Sequence, residues 1–190
     1  MGLCGCKLAT NEQDLDAVPV TTSSARVGAL LTEMQIVSTD VTVTFLSEPQ
    51  APPYSVDGVD YNSSQDVDVV GGYRGRFTGI NQISAIGNNS FLVSDSFSPC
   101  VPVIIFSPTN VWLLHANGTV KVSEIKKVAS GHDVDIYIIR KGSSRSAQVA
   151  TAIFDELHEY SAQMVDIDTN EMIGVVVSAA SKTILVYCQG

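Results

Sequence analysis

The feature that most constrains this chain is a pair of apolar runs divided by a turn. Val103-Ile104-Ile105-Phe106 and Val111-Trp112-Leu113-Leu114-His115 flank Ser107-Pro108-Thr109-Asn110. Runs this short and this rich in β-branched and aromatic residues read as strands. The residues between them suit a type I turn with Pro108 at its second position. The strands are therefore expected to pair as a hairpin with a four-residue loop. The first can start earlier, because Pro102 is tolerated near a strand start, on an edge or at a bulge.

The same pattern predicts strands at Val41–Phe45, Val67–Val70, Phe91–Val93, Thr119–Val122, Val134–Ile139, Ile173–Val177 and Thr183–Tyr187. Ser144–Tyr160 reads as a helix with Val149, Ile153 and Leu157 on one stripe. Ser23 and Ser24 precede Val27, Leu30, Leu31 and Met34, whose spacing marks one apolar face of a short serine-capped helix. Glu48–Gly58 holds three prolines and reads as a loop. Gly71, Gly72, Gly75 and Gly79 suggest tight turns, and they fit neither the dinucleotide fingerprint nor the P-loop. Many strands with two helices indicate an α+β fold. Residues 1–20 read as a flexible tail and 21–190 as a single α+β domain.

Apolar residues make up 45% of the chain and charged residues 16%, enough apolar content for a sizeable core. The net charge of −9 repels phosphate backbones, which argues against nucleic acid as a partner. Lys126, Lys127, Arg140 and Lys141 form a small, broken basic cluster expected on the solvated surface. No apolar run is long enough to cross a bilayer as a helix. Cys4, Cys6, Cys100 and Cys188 match no zinc spacing, so no metal site is expected. They are also too sparse for a disulfide scaffold, so reduced thiols and an intracellular working compartment are expected. Gly2 with Cys4 and Cys6 is the arrangement used for myristoylation plus palmitoylation, although Cys6 stands where Ser or Thr is preferred. Two acyl chains would tether the tail to a membrane.

The hairpin brings chemistry together. If Phe106 faces Val111, His115 falls opposite Pro102 and Cys100 opposite Asn117. Side chains alternate, so Cys100 and His115 become same-face diagonal neighbours with roughly 7 Å between Cβ atoms. A one-residue slip would separate them onto opposite faces. A nucleophilic cysteine needs a base within reach. His115 can take the thiol proton, or the pair can rest as thiolate and imidazolium. Pro99 and Pro102 lack an N–H and cannot stabilise an oxyanion. His132, in a turn, and His158, beside Glu156 and Glu159, fit surface positions better. The alternatives are another Cys-His enzyme, such as a peptidase or transglutaminase, and a non-catalytic protein-binding module in which Cys100 is simply packed.

Phe97-Ser98-Pro99-Cys100, with His115 fifteen positions later, resembles the catalytic hairpin of the glutamine deamidase toxins. That family includes the cytotoxic necrotizing factor catalytic domain and Burkholderia lethal factor, and the chemotaxis receptor deamidases are similar in fold. Its motif is Leu-Ser-Gly-Cys. Ser98 and Cys100 match, Phe97 is an apolar substitute, and Pro99 replaces glycine. The resemblance spans about residues 90 to 188. It implies mixed β-sheets packed as a sandwich with flanking helices, and a hydroxyl six positions before the cysteine, here Ser94, that orients the histidine. It further implies a secreted bacterial effector acting in the host cytosol, where acylation of Gly2, Cys4 or Cys6 would bring it to a host membrane. The reaction would be cofactor-free hydrolysis of a glutamine side chain in a host protein.

Overall fold

The structure, a computed structural model, describes residues 41–46, 59–69, 73–86, 91–97, 99–118, 122–142, 144–167 and 172–188. Among these residues the strands are β1 (Thr42–Leu46), β2 (Gln65–Val69), β3 (Tyr73–Phe77), β4 (Ile83–Ala85), β5 (Phe91–Asp95), β6 (Val101–Phe106), β7 (Val111–Ala116), β8 (Asp135–Lys141), β9 (Ser161–Ile167), β10 (Met172–Ser178) and β11 (Thr183–Cys188). The helices are α1 (Val122–Ala129) and α2 (Ser144–Glu156). The fold is α+β, built on two mixed sheets. One has strand order β1-β11-β10-β5-β3-β2 and the other β4-β7-β6-β8-β9. The parallel pair β8 and β9 needs a crossover, and α2 supplies it.

The sheets pack face to face. Ile104 and Phe106 of β6, Leu113 of β7, and Tyr137 and Ile139 of β8 meet Leu92 of β5, Val175 and Val177 of β10, and Ile184 and Val186 of β11 in one core. The opposite face of the five-stranded sheet carries Val103, Ile105 and Ile138. It is covered by Ile125 of α1 and by Ala150 and Ile153 of α2. With both faces covered, β6 is buried along its whole length. Its unbroken apolar sequence follows from that position. Phe77, Phe91, Val93 and Leu185 form a further core on the far side of the six-stranded sheet, packed against Val59 and Tyr61.

The strands expected near 41–45, 67–70, 91–93, 103–106, 111–115, 134–139, 173–177 and 183–187 are present with shifted ends. Other expectations are corrected. Val122 opens α1 instead of closing a strand, while 119–121 lie outside the described residues. The helix from Ser144 stops at Glu156, and a turn with Leu157 N–H donating to Phe154 O precedes the unforeseen β9. Gly75 lies inside β3, where a Cβ would sit 2.7 Å from Val69 Cγ2, so close approach and not a turn requires glycine there. The helix expected at 23–34 and the loop at 48–58 fall outside the described residues.

Candidate active site

The hairpin has the register expected from the sequence. Phe106 faces Val111, and Pro102 faces His115. In its loop, Ser107 N–H donates to Asn110 O at 2.8 Å, and Ser107 Oγ accepts from Asn110 N–H at 2.9 Å. Pro102 costs this ladder nothing, for a reason visible in the His115 backbone. His115 N–H donates to Gln82 O at 3.3 Å, and His115 O accepts from Asn81 N–H at 2.8 Å. Both groups are turned toward the 80–82 segment. Pro102 therefore occupies a non-hydrogen-bonded pair and needs no N–H on that side. On its other side the registered pairing of β6 with β8 starts only at Val103.

Side-chain alternation places Cys100, Pro102, Ile104 and Phe106 on the face between the sheets, together with His115. His115 is fully buried and Cys100 is 5% exposed. Ser94, at the end of β5, reaches His115 from the opposite sheet. Its Oγ lies 2.9 Å from His115 Nδ1 and 2.6 Å from Thr78 O. These two distances fix the tautomer. A carbonyl can only accept, so the single hydroxyl proton goes to Thr78. Ser94 Oγ must then accept from Nδ1–H. The lone pair of the neutral ring resides on Nε2, which is buried with no hydrogen-bond partner among the described residues.

Phe97 closes over the imidazole. The two rings stack at 4.3 Å between centroids with 22° between planes. The chain reaches this position through Ser96, whose φ of 59° is left-handed and uncommon for a residue other than glycine. That turn carries the chain from β5 in one sheet to β6 in the other, and Cys100 sits at the far end of it.

Charge sets the resting state. Burial, with a smaller push from Lys141, pulls His115 from 6.5 down to about 4. Burial raises the Cys100 thiol, while Lys141 and then Arg145 oppose that rise. Of the two resting states open from the sequence, neutral imidazole beside thiol is the one this environment favours. No hydrogen bond joins Cys100 to His115, since Nδ1 is held by Ser94 and Nε2 has no partner among the described residues. Such bonds commonly tighten only when substrate is present.

Lys141 corrects the sequence reading. It was expected in a solvated basic cluster, yet it is 2% exposed, and its Nζ donates to Phe97 O at 2.5 Å. Arg140, one position earlier, points the other way and pairs with Asp166 across β8 and β9. Ile136, Tyr137, Ile138 and Ile139 before it are apolar on both faces, so no alternation betrayed where the terminal lysine would point.

A groove of about 320 Å³ is lined by Asn117, Gly118, Val122, Arg145, Gln148 and Ile153 among others, with neither Cys100 nor His115 in its wall. Asn117 falls opposite Cys100 when the hairpin register is continued by one residue. His132 and His158 are exposed, as expected. Ser98, Gly2, Cys4 and Cys6 lie outside the described residues. Among the described residues no three His, Cys, Asp or Glu side chains gather where a metal ion could be held. Comparison with protein-family models and with curated proteins found no match.

Proposed function

We propose that this protein is a cysteine-dependent protein glutamine deamidase. One observation above all supports the reading. His115 is held by Ser94 as a neutral ring with an unoccupied basic Nε2, on the same face of the hairpin as Cys100. Nε2 takes the thiol proton as Cys100 attacks the carboxamide carbon of a substrate glutamine. The imidazolium returns that proton to the departing amine, and ammonia leaves a thioester. Water, deprotonated by the neutral ring, then attacks the thioester. Glutamate is released, and His115 returns the proton to the sulfur. The sequence as written uses no cofactor.

The substrate in this proposal is a host protein carrying a reactive glutamine, and the setting is the host cytosol after secretion from a bacterium. Acylation at Gly2, Cys4 or Cys6 would concentrate the enzyme at a host membrane. Ammonia release from eukaryotic-cell lysate tests the reading. The parent protein is expected to release ammonia from lysate protein, and Cys100→Ala and His115→Ala are not. Cleaved peptides would instead indicate a peptidase, and ammonia release accompanied by amines incorporated at glutamine would indicate a transglutaminase.

A further inference from the structure

Lys141 is a cation without an evident reason to be buried. Moving an ammonium group out of water is costly unless an anion or several acceptors receive it. Among the described residues the Lys141 ammonium has one hydrogen bond, to Phe97 O, and no carboxylate within ion-pair distance. Its location suggests what the charge serves. β6 and β8 pair with Val103 facing Ile138, and continuing that register by three residues puts Lys141 opposite Cys100. Asn117 is opposite Cys100 on the other flank, so the thiol lies between the His115 strand and the Lys141 strand.

We propose that Lys141 is a positioning residue of this site. It is a buried counter-cation for the Cys100 thiolate, and through the Phe97 carbonyl it holds the aromatic ring against His115. This rests on Cys100 being the nucleophile. The two roles share one side chain. The positive charge favours the anionic sulfur and disfavours a protonated imidazole, so it keeps His115 free to accept the thiol proton. Other groups face this position from the packed elements. Arg145 of α2 adds a weaker cation, and the β9 partner of Lys141 is the uncharged Ile167. Asp95 of β5 lies on the opposite face of its sheet from Ser94 by strand alternation. Thus no carboxylate on the neighbouring strands competes with the thiolate for Lys141.

The test is the pH dependence of Cys100 alkylation by iodoacetamide in the full chain, followed by peptide mass spectrometry to separate Cys100 from the other cysteines. Lys141→Met is expected to raise the apparent thiol pKa by about one unit or more, which slows alkylation at pH 7.5 about tenfold. Lys141→Arg is expected to keep most of the parent rate. A purely structural lysine would lower the melting temperature without moving the thiol titration. An unchanged titration in Lys141→Met, or an equal shift in both variants, overturns the proposal. Should Lys141→Met not fold, a second measurement decides on the parent background. The Lys141 side-chain resonance, followed by NMR in the parent and in Cys100→Ser, is expected to titrate at lower pH once the thiolate is gone, because the coupling is reciprocal. Equal titrations would overturn the proposal. Neither readout needs turnover. A coupled pair in a protein that deamidates nothing would therefore sink the deamidase reading and leave Lys141 as the counter-cation.

Discussion

The hydroxyl of Ser94 on one sheet holds Nδ1 of His115 on the other at 2.9 Å. That contact ties the two layers together and leaves Nε2 as the unprotonated nitrogen of the ring. Ser94→Ala is expected to strand both Nδ1–H and the Thr78 carbonyl. The cost is about 1–3 kcal/mol in stability. Turnover is expected to fall about tenfold through loss of ring orientation. Ser94→Thr keeps the hydroxyl and is expected to retain most of both. Urea melts and kcat measurements on the two variants check this, and equal behaviour of the two would count against the assigned role.

The pH–rate profile carries the second expectation. His115 must be neutral to accept a proton, and its pKa is pulled down to about 4. kcat/KM is therefore expected to hold steady as pH falls through 6 and to decline only near about 4. An acid limb centred at the ordinary histidine value of 6.5 would mean that the buried, neutral ring is not the working base.

Stability against pH gives a third, because two buried groups pull in opposite directions. With His115 lowered from 6.5 to about 4, the unfolded chain binds more protons inside that window, so stability is lost as pH falls through it. Burial raises Asp95 from 3.8 to about 6, so the folded chain binds more protons there and stability is lost as pH rises. Each effect is on the order of 3 kcal/mol. The parent is expected to vary little between pH 4 and 6. Asp95→Asn removes one side of the balance and is expected to expose a loss of about 3 kcal/mol on acidification from pH 6.5 to 4. Denaturant titrations across this range check it, and an equally flat Asp95→Asn curve would contradict it.

A fourth concerns the support beneath Ser94. A Cβ on Gly79 would lie 2.5 Å from Ser63 O and 2.7 Å from Tyr61 O, both backbone atoms with little room to yield. Gly79→Ala is expected to destabilise the fold by about 1–3 kcal/mol and to disturb the adjacent Thr78 carbonyl. Gly118→Ala, whose Cβ would meet only Val149 Cγ2 at 3.8 Å, is the neutral control. Thermal melts of the pair decide.

The sequence carried the hairpin and its register because a four-residue loop between two apolar runs leaves little freedom. His115 opposite Pro102 followed directly. What it could not carry was the third dimension. Ser94 was named only through the family resemblance: it meets His115 because two separate sheets stack, and no periodicity along the chain encodes that distance. Lys141 was misplaced because a lysine at a strand end usually reaches solvent, and β8 gave no alternation to say otherwise. β3 was hidden by Gly75, which serves close packing against Val69 and looks like a turn residue in isolation. The helix α1 was missed because a run of only eight residues gives little periodic signal.

The most direct test of the central claim is deamidation in ¹⁸O-water. Parent protein, Cys100→Ala and His115→Ala are incubated separately with eukaryotic-cell lysate, and glutamine-containing peptides are compared by mass spectrometry. Hydrolysis through a Cys100 thioester is expected to add about three daltons to a specific glutamine in ¹⁸O-water, against about one in ordinary water. The gain should appear with the parent alone. No glutamine labelled by the parent, or equal labelling by Cys100→Ala, would contradict the claim that Cys100 and His115 form a deamidase site.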